Sequence, residues 1–195
     1  YKNWPTDAIR RDLQETANSF SVCMEHWQGD FNISTLIRNS NAFNAKKVYY
    51  LGKKRFDRRG AVGTHHYVDL SYLDDGYKRL VDLKKEYTFV AIDNNVGKTE
   101  KLCKFNWNKL EKPPLFFFGE EGVGLTSKIL NLCDYTIEIE QHGSVRSMNV
   151  GTCSGIVLYA YVTFLKNSTS QRNAATMKCD AYESAQSESC QLTLL

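Results

Sequence analysis

Three glycines within six residues follow a wholly apolar run in Phe116-Phe117-Phe118-Gly119-Glu120-Glu121-Gly122-Val123-Gly124-Leu125. Glycines packed that closely mark backbone that turns sharply or lies against a ligand. A phosphate or dinucleotide loop is the first chemistry to test, and two features argue against it. The spacing departs from G-x-G-x-x-G, and Glu120 and Glu121 would face an anion at close range. An acidic glycine loop suits a cationic ligand instead, and a sulfonium fits; a ligand-free strand-to-helix turn is the alternative. A second glycine-bearing stretch, Gly143-Ser144-Val145-Arg146-Ser147-Met148-Asn149-Val150, leads into an apolar helix that Ser147 or Asn149 can cap. A third, Asp30 to Arg38, opens a helix capped by Asp30 or Asn32 and sets Arg38 beside an apolar stripe. A lone arginine there is ordinarily a solvated surface charge.

Other candidates carry less. Val96-Gly97-Lys98-Thr99 imitates the end of a Walker A loop, but Ile92 stands where that loop needs glycine. His65 and His66 have no accompanying cysteine or carboxylate cluster, so no metal is expected. The stretch Lys53-Lys54-Arg55-Phe56-Asp57-Arg58-Arg59-Gly60 holds five cations, usually a solvated patch. Six cysteines, at 23, 103, 133, 153, 179 and 190, include no C-x-x-C pair. They are expected to be reduced core residues of a cytoplasmic protein, so the triplets Asn32-Ile33-Ser34 and Asn167-Ser168-Thr169 carry no glycosylation meaning.

The elements that must position these loops follow from the apolar pattern. Strands are expected at Phe20–Glu25, Lys47–Leu51, Thr88–Ile92, Leu115–Phe118 and Tyr135–Ile139. Helices are expected from Ile33 to Phe43, from Leu73 to Glu86, from near Thr126, and from Val150 to Leu165. Strands alternating with helices imply an α/β fold, a mainly parallel sheet flanked by helices. Such sheets bind ligands at the C-terminal ends of their strands, where the glycine-bearing loops fall. The Val150–Leu165 helix is apolar on nearly every side, so it needs a second cover, which a subunit interface would supply. Beyond Lys166 the composition turns polar and serine-rich, which reads as a mobile or loosely docked extension spanning 167–195, distinct from a domain at 1–166.

With 195 residues, 25 Lys plus Arg against 22 Asp plus Glu, 42% apolar and 24% charged residues, the composition is that of a soluble globular protein. About 70% of the unfolded surface can be buried at this length, which excludes a disulfide-stapled miniprotein and a disordered chain. No apolar run reaches the roughly 18 residues of a membrane span. The start, Tyr1 to Pro5, has no secretory apolar core, and the missing Met points to a trimmed N-terminus. A formal charge of +3 implies local rather than global attraction to nucleic acid.

Taken in order, the three loops resemble the three motifs of the SpoU/TrmH branch of the SPOUT RNA methyltransferases. Asn32 to Arg38 is similar to the first motif, Phe116 to Leu125 to the second and Ile139 to Val150 to the third, and the likeness spans roughly Ser19 to Leu165. Two departures stand in the third motif: Glu140 replaces a proline, and Met148 replaces a leucine. The resemblance implies a deep C-terminal trefoil knot, a homodimer built through the knot and last helix, and transfer of methyl from S-adenosylmethionine to a ribose 2′-hydroxyl, leaving S-adenosylhomocysteine. It implies that Gly119, Ile139, Met148, Ser147, Ile92, Phe118 and Gly124 line the donor, and that Arg38, Asn32, Glu121, Ser147 and Asn149 form the catalytic set. Lys53, Lys54, Arg55, Arg58 and Arg59 then become RNA phosphate contacts. The RNA-binding domain of some relatives has no counterpart here, so the catalytic dimer and its extensions are expected to recognise RNA, with tRNA favoured over rRNA. A nicotinamide oxidoreductase is excluded by the lack of a glycine loop near residues 24–32. A catalytically degenerate RNA-binding scaffold is the serious rival.

Overall fold

The structure, a computed structural model, describes residues 1–26 and 31–191, with side chains through Ser170. Seven strands form one sheet: β1 (Asn18–His26), β2 (Ala45–Gly52), β3 (Leu70–Tyr72), β4 (Thr88–Ile92), β5 (Glu100–Lys101), β6 (Pro114–Phe118) and β7 (Tyr135–Glu138). Their order across the sheet is β3-β2-β1-β6-β4-β7-β5, and every recorded pairing is parallel. All the strand C-termini therefore lie along one edge, the edge that holds the loops singled out above. The helices are α1 (Thr6–Glu15), α2 (Asn32–Ala42), α3 (Tyr77–Leu83), α4 (Ser127–Leu132) and α5 (Val150–Gln191).

The central strands are buried on both faces, and that is why they read as unbroken apolar runs. All of Phe116, Phe117 and Phe118 are fully buried. In register, Cys23 stands beside Phe117 and Met24 beside Phe118, so alternate residues feed opposite faces. One face packs Cys23, Tyr49, Leu51, Phe89, Ala91, Leu115 and Phe117 against Leu80 of α3 and Ile129 of α4. No α2 or α5 residue belongs to that cluster, which leaves those helices to the other face. There the buried stripe of α2, Ile33, Leu36 and Ile37, follows helical spacing.

Several elements differ from the sequence expectation. Helix α1 was not foreseen; it is mostly polar, with Ile9 its one buried residue. The short strands β3 and β5 also carry too few apolar residues to announce themselves. The expected helix from Leu73 shrinks to Tyr77–Leu83, because Asp74, Asp75 and Gly76 form a turn with Gly76 at φ 47°. Burial of the cysteines is mixed: Cys23 is buried, Cys133 and Cys153 half-buried, and Cys103 exposed, where a core thiol was expected; all four are free. Cys179 and Cys190 lie outside the residues whose side chains are described.

The chain divides into two compact units, Tyr1–Tyr159 and Ala160–Leu195. In the first, α5 begins by burying Gly151, Ser154, Val157 and Leu158 and exposing Thr152, Ile156 and Tyr159. Gly151 is required at this contact, since a Cβ there would lie 2.7 Å from the Thr35 methyl of α2. Asn39 of α2 completes the junction, donating to the Gly151 carbonyl and to the Ser154 hydroxyl, each at 2.8 Å. In the second unit the helix continues through Gln191, and Thr169 and Ser170 donate to the carbonyls of Leu165 and Lys166, four residues back, both at 3.0 Å. The polar stretch past Ser170, expected to be mobile, lies outside the described side chains.

Candidate active site

At the C-terminal edge of β4, β6 and β7 the loop after Phe118 folds back on itself. Glu120 and Gly124 form an isolated antiparallel bridge, with Gly124 N–H donating to the Glu120 carbonyl at 2.9 Å. Gly119 lies where this loop crosses its own backbone: a Cβ there would sit 2.2 Å from the Gly124 carbonyl carbon. Gly124 is at φ 74°, and a Cβ on it would come 2.8 Å from a carboxylate oxygen of Asp93. Asp93, at the end of β4, accepts from the backbone N–H of Leu125 at 3.1 Å and of Asn95 at 2.7 Å. The exit of the loop is fixed by Glu25, buried at the end of β1, which accepts from the Thr126 N–H at 2.6 Å, the Thr126 hydroxyl at 2.8 Å and the Tyr77 hydroxyl at 3.1 Å. The glycine pattern revealed the loop; Asp93 and Glu25, isolated carboxylates at strand ends, gave no sequence signal beyond their position.

Three side chains from three distant stretches converge above this loop. Asn32 donates from Nδ2 to Oε2 of Glu121 at 3.0 Å, and Asn149 donates to the same oxygen at 2.9 Å and to Oδ1 of Asn32 at 2.8 Å. Asn32 therefore does not cap α2, as its position suggested; the residue before the helix is Phe31, with no side-chain cap. Asp30, the other expected cap, lies outside the described residues. Asn149 does cap α5, its Oδ1 accepting from the Thr152 N–H at 3.2 Å. The capping reading of Asn149 holds, and it is a different atom, Nδ2, that reaches Asn32 and Glu121. Glu121 is thereby committed to two amides, whereas Glu120 is buried at the wall of the cleft described next.

A cleft runs between this loop and the stretch Ile139–Cys153. Ile92, Phe118, Gly119, Gly124, Ile139, Ser147 and Met148 all line it, and so does Glu121. Asp93, Asn94, Asn95, Gln141, Val150 and Cys153 add to its walls without having been singled out from sequence. Their contributions follow from the neighbouring strand ends, which the order of strands brings together. Asn94 also spans the cleft, donating to the Arg146 carbonyl at 3.0 Å. Glu140, at the position of the replaced proline, is held by Lys101 and by the Cys103 thiol, whose sulfur is 3.3 Å away. These two partners hold the Glu140 carboxyl below the ordinary range.

Arg38 is not brought to this cleft. It is exposed on α2, six residues or about 9 Å along the axis from Asn32, and lines none of the cleft. The five cations of the 53–59 stretch sit on the same edge beyond β2. Arg59 is already committed, forming a two-pronged pair with Asp57 at 2.6 Å and 2.9 Å that holds the Asp57 carboxyl below its usual range. No group of three or more His, Cys, Asp or Glu side chains suited to a metal occurs among the described residues.

The sequence model of the SpoU rRNA methylase family matches residues 19–159. The chain belongs to the SpoU rRNA methylase family. A tRNA (guanosine(18)-2′-O)-methyltransferase of Aquifex aeolicus is 25% identical over 156 residues, covering 77% of this chain and 72% of that protein. The enzyme of the same description from Escherichia coli K12 is 25% identical over 145 residues, and the match spans 71% of this chain and 61% of that protein. Among solved structures, the A. aeolicus TrmH/SpoU tRNA modifying enzyme superposes with a TM-score of 0.72 over 84% of both chains at 20% identity. The SpoU methyltransferase AviRb of Streptomyces viridochromogenes, in complex with AdoMet, reaches 0.64 over 78% of this chain and 60% of its own at 22% identity. These SpoU structures share the α/β fold described above.

Proposed function

We propose that this SpoU-family protein transfers the methyl group of S-adenosylmethionine to a ribose 2′-hydroxyl of a structured RNA, with tRNA favoured over rRNA. The observation that carries this reading is the cleft itself. Two glycine-bearing loops from separate strand ends wall it, and Asn32, Glu121 and Asn149 interlock at its margin. The methyl donor suits these walls on chemical grounds. Ile92, Phe118, Ile139 and Met148 offer apolar surface for a nucleoside, and Gly119, packed directly against the Gly124 main chain, keeps the loop in the fold that forms one wall. Glu120 and Asp93 place negative charge near a sulfonium. The relatives' descriptions as guanosine 2′-O-methyltransferases, and the AdoMet complex of AviRb, support the same class of reaction.

When bound, S-adenosylmethionine supplies the methyl group and leaves as S-adenosylhomocysteine. The work of the protein's own residues is then alignment and charge, and alignment alone can account for several kcal/mol, roughly 7–11 at best. Asn32, Glu121 and Asn149 fix the margin where the ribose would enter, and Ser147 stands on the facing wall. Arg38 cannot act as a free base, because a guanidinium stays protonated. Its proposed role is to stabilise the developing alkoxide electrostatically, in preference to acting as base through a bound RNA phosphate. Since Arg38 stands outside the cleft of its own chain, this role requires a further component, bound RNA or a second copy of the chain, to bring the two together. That separation is also the one observation favouring an RNA-binding scaffold without catalysis.

The remaining expectations belong to the same proposal. The exposed Ile156 and Tyr159 on α5 support a homodimer through that helix, and the family supports a C-terminal trefoil knot in a domain of residues 1–166 with a polar extension at 167–195. Lys53, Lys54, Arg55, Arg58 and Arg59 are proposed RNA contacts; Arg59 would act chiefly by holding the loop through Asp57. No helix among the described residues is long and apolar enough to cross a membrane, and a cytoplasmic location fits the free thiols.

Transfer of labelled methyl from S-adenosylmethionine to unmodified tRNA and rRNA, with nucleoside analysis of the product, tests this reading. A 2′-O-methyl nucleoside is expected. Donor binding without incorporation into any RNA offered would favour the scaffold, and failure to bind the donor would overturn the assignment of the cleft.

A further inference from the structure

A second cavity, of about 800 Å³, opens beyond β2, lined by Tyr50, Lys54, Arg55, Phe56, Arg58, His65, His66 and Leu70. Its wall is a built aromatic surface. Tyr50 is buried, its ring edge-on to Phe56 at 5.6 Å and tilted against Tyr72 at 5.2 Å, and its hydroxyl donates to the Lys54 carbonyl at 3.1 Å. Its charge is uncompensated: Lys54, Arg55 and Arg58 form no ion pair among the described residues, and no carboxylate lines the cavity. The rings of His65 and His66 lie 4.0 Å apart, and Nδ1 of His65 is buried with no hydrogen-bond partner. Burial, the adjacent His66 and the Arg58 guanidinium hold the His65 imidazole below its ordinary range, as expected where positive charge has no anion to balance it.

The cavity is fastened to the helix that begins the catalytic margin. The Ser34 hydroxyl of α2 donates to the Asp57 carbonyl, a Cβ on Gly60 would lie 3.0 Å from the Ser34 Cβ, and Arg59 stacks over Phe31 at 5.0 Å. In the sheet, β2 is three strands from β4, about 14 Å at ~4.8 Å per strand. A few consecutive nucleotides of one extended strand can span that distance.

We propose that this cavity captures one single-stranded nucleotide of the RNA, its phosphate among Lys54, Arg55 and Arg58 and its base against the Tyr50–Phe56 wall. The inference rests on the RNA-methyltransferase reading and deepens it. RNA is gripped at a nucleotide-sized pocket apart from the cleft, rather than by a diffuse basic loop. Stacking on aromatic walls tolerates any base, so this pocket anchors the strand without reading its sequence.

The full chain is titrated with tetrauridylate, with uridine monophosphate and with inorganic phosphate, following the His65 and His66 ring resonances and the dissociation constant across salt concentrations. Tetrauridylate is expected to bind tightest and to shift both rings. Replacing Arg55→Ala together with Arg58→Ala should lower the slope of log K against log salt by about 0.7 for each phosphate that is no longer neutralised. Phe56→Leu should leave that slope unchanged and weaken tetrauridylate by about 10-fold. A slope change with no effect of Phe56→Leu would overturn the nucleotide pocket in favour of a solvated cation patch. Monophosphate binding as tight as the tetramer would overturn it in favour of a free-nucleotide site. S-adenosylmethionine binding is measured on the same samples. Loss of donor binding with the pocket intact would sink the methyltransferase reading alone, and the converse would sink the pocket alone.

Discussion

Two stretches of one sheet edge, a few strands apart, are built by opposite means. Around β4, β6 and β7 the cleft takes its shape from a backbone loop: Gly119 and Gly124 allow the loop to cross itself, and Asp93 and Glu25 hold it by backbone N–H groups. Beyond β2 the wall is made of side chains, with Tyr50 and Phe56 as surface and Lys54, Arg55 and Arg58 as charge. Such a site yields little to substitution: an added Cβ meets main chain at Gly119, and at Gly124 it meets the Asp93 carboxylate on backbone already at φ 74°. A side-chain site weakens in increments, one residue at a time. The difference teaches where sequence change is tolerated: the second region can vary its cations, and the first cannot vary its glycines.

The sharpest way to break this contrast is Gly119→Ala. With a Cβ forced to within 2.2 Å of main chain, donor affinity measured by calorimetry should fall by at least about 100-fold, the upper end of overpacking costs. Near-normal binding would mean the loop can refold around the added methyl, and the contrast would collapse.

Next in size is Arg38→Ala, which should lower turnover by about 10²–10³-fold while leaving the donor dissociation constant unchanged. Equal loss of both would remove the electrostatic role, because a residue outside the cleft has no reason to affect donor binding.

Asn149 separates capping from site-building within one side chain. Asn149→Asp retains an oxygen for the Thr152 N–H but sets a carboxylate against Glu121, so activity should fall about 10-fold with little change in melting temperature. Asn149→Ala loses the cap as well, at about 1 kcal/mol. If activity merely tracks melting temperature across the two variants, the amide serves only the helix.

The smallest effect is expected at Glu140, whose pairing with Lys101 lies on the surface. Its carboxyl is held below the ordinary range, so the stability it adds is present above an unfolded value of about 4.3 and is lost as pH falls through the folded one. Glu140→Gln should melt slightly lower than the parent at pH 7, with the gap closing as the pH is taken below about 4. A gap independent of pH would assign the effect to packing of the loop rather than to charge.

Most of the sheet was legible in the chain because strands buried on both faces must be apolar throughout. Thr88–Ile92 is one such strand, and Leu115–Phe118 falls one residue short of the observed β6. The glycine cluster at 119–124 and the loop holding Gly143 were legible for a similar reason, since glycine marks backbone that must turn. Helix α1 and strands β3 and β5 were not, because each is held by few buried residues and leaves no periodic trace.

The sequence by itself determined the α/β pattern, the three motif-bearing loops and their residue types, because these follow from local periodicity and backbone sterics. Only the tertiary structure decided which of those residues meet. It joined Asn32 to Glu121 and Asn149 across 89 and 117 positions of chain, and it spent Arg59 on Asp57. It also left Arg38 outside the cleft, and set His65 and His66 into a cavity with Tyr50. Such meetings depend on the order of strands in the sheet, β3-β2-β1-β6-β4-β7-β5, and no local preference of the chain encodes that order.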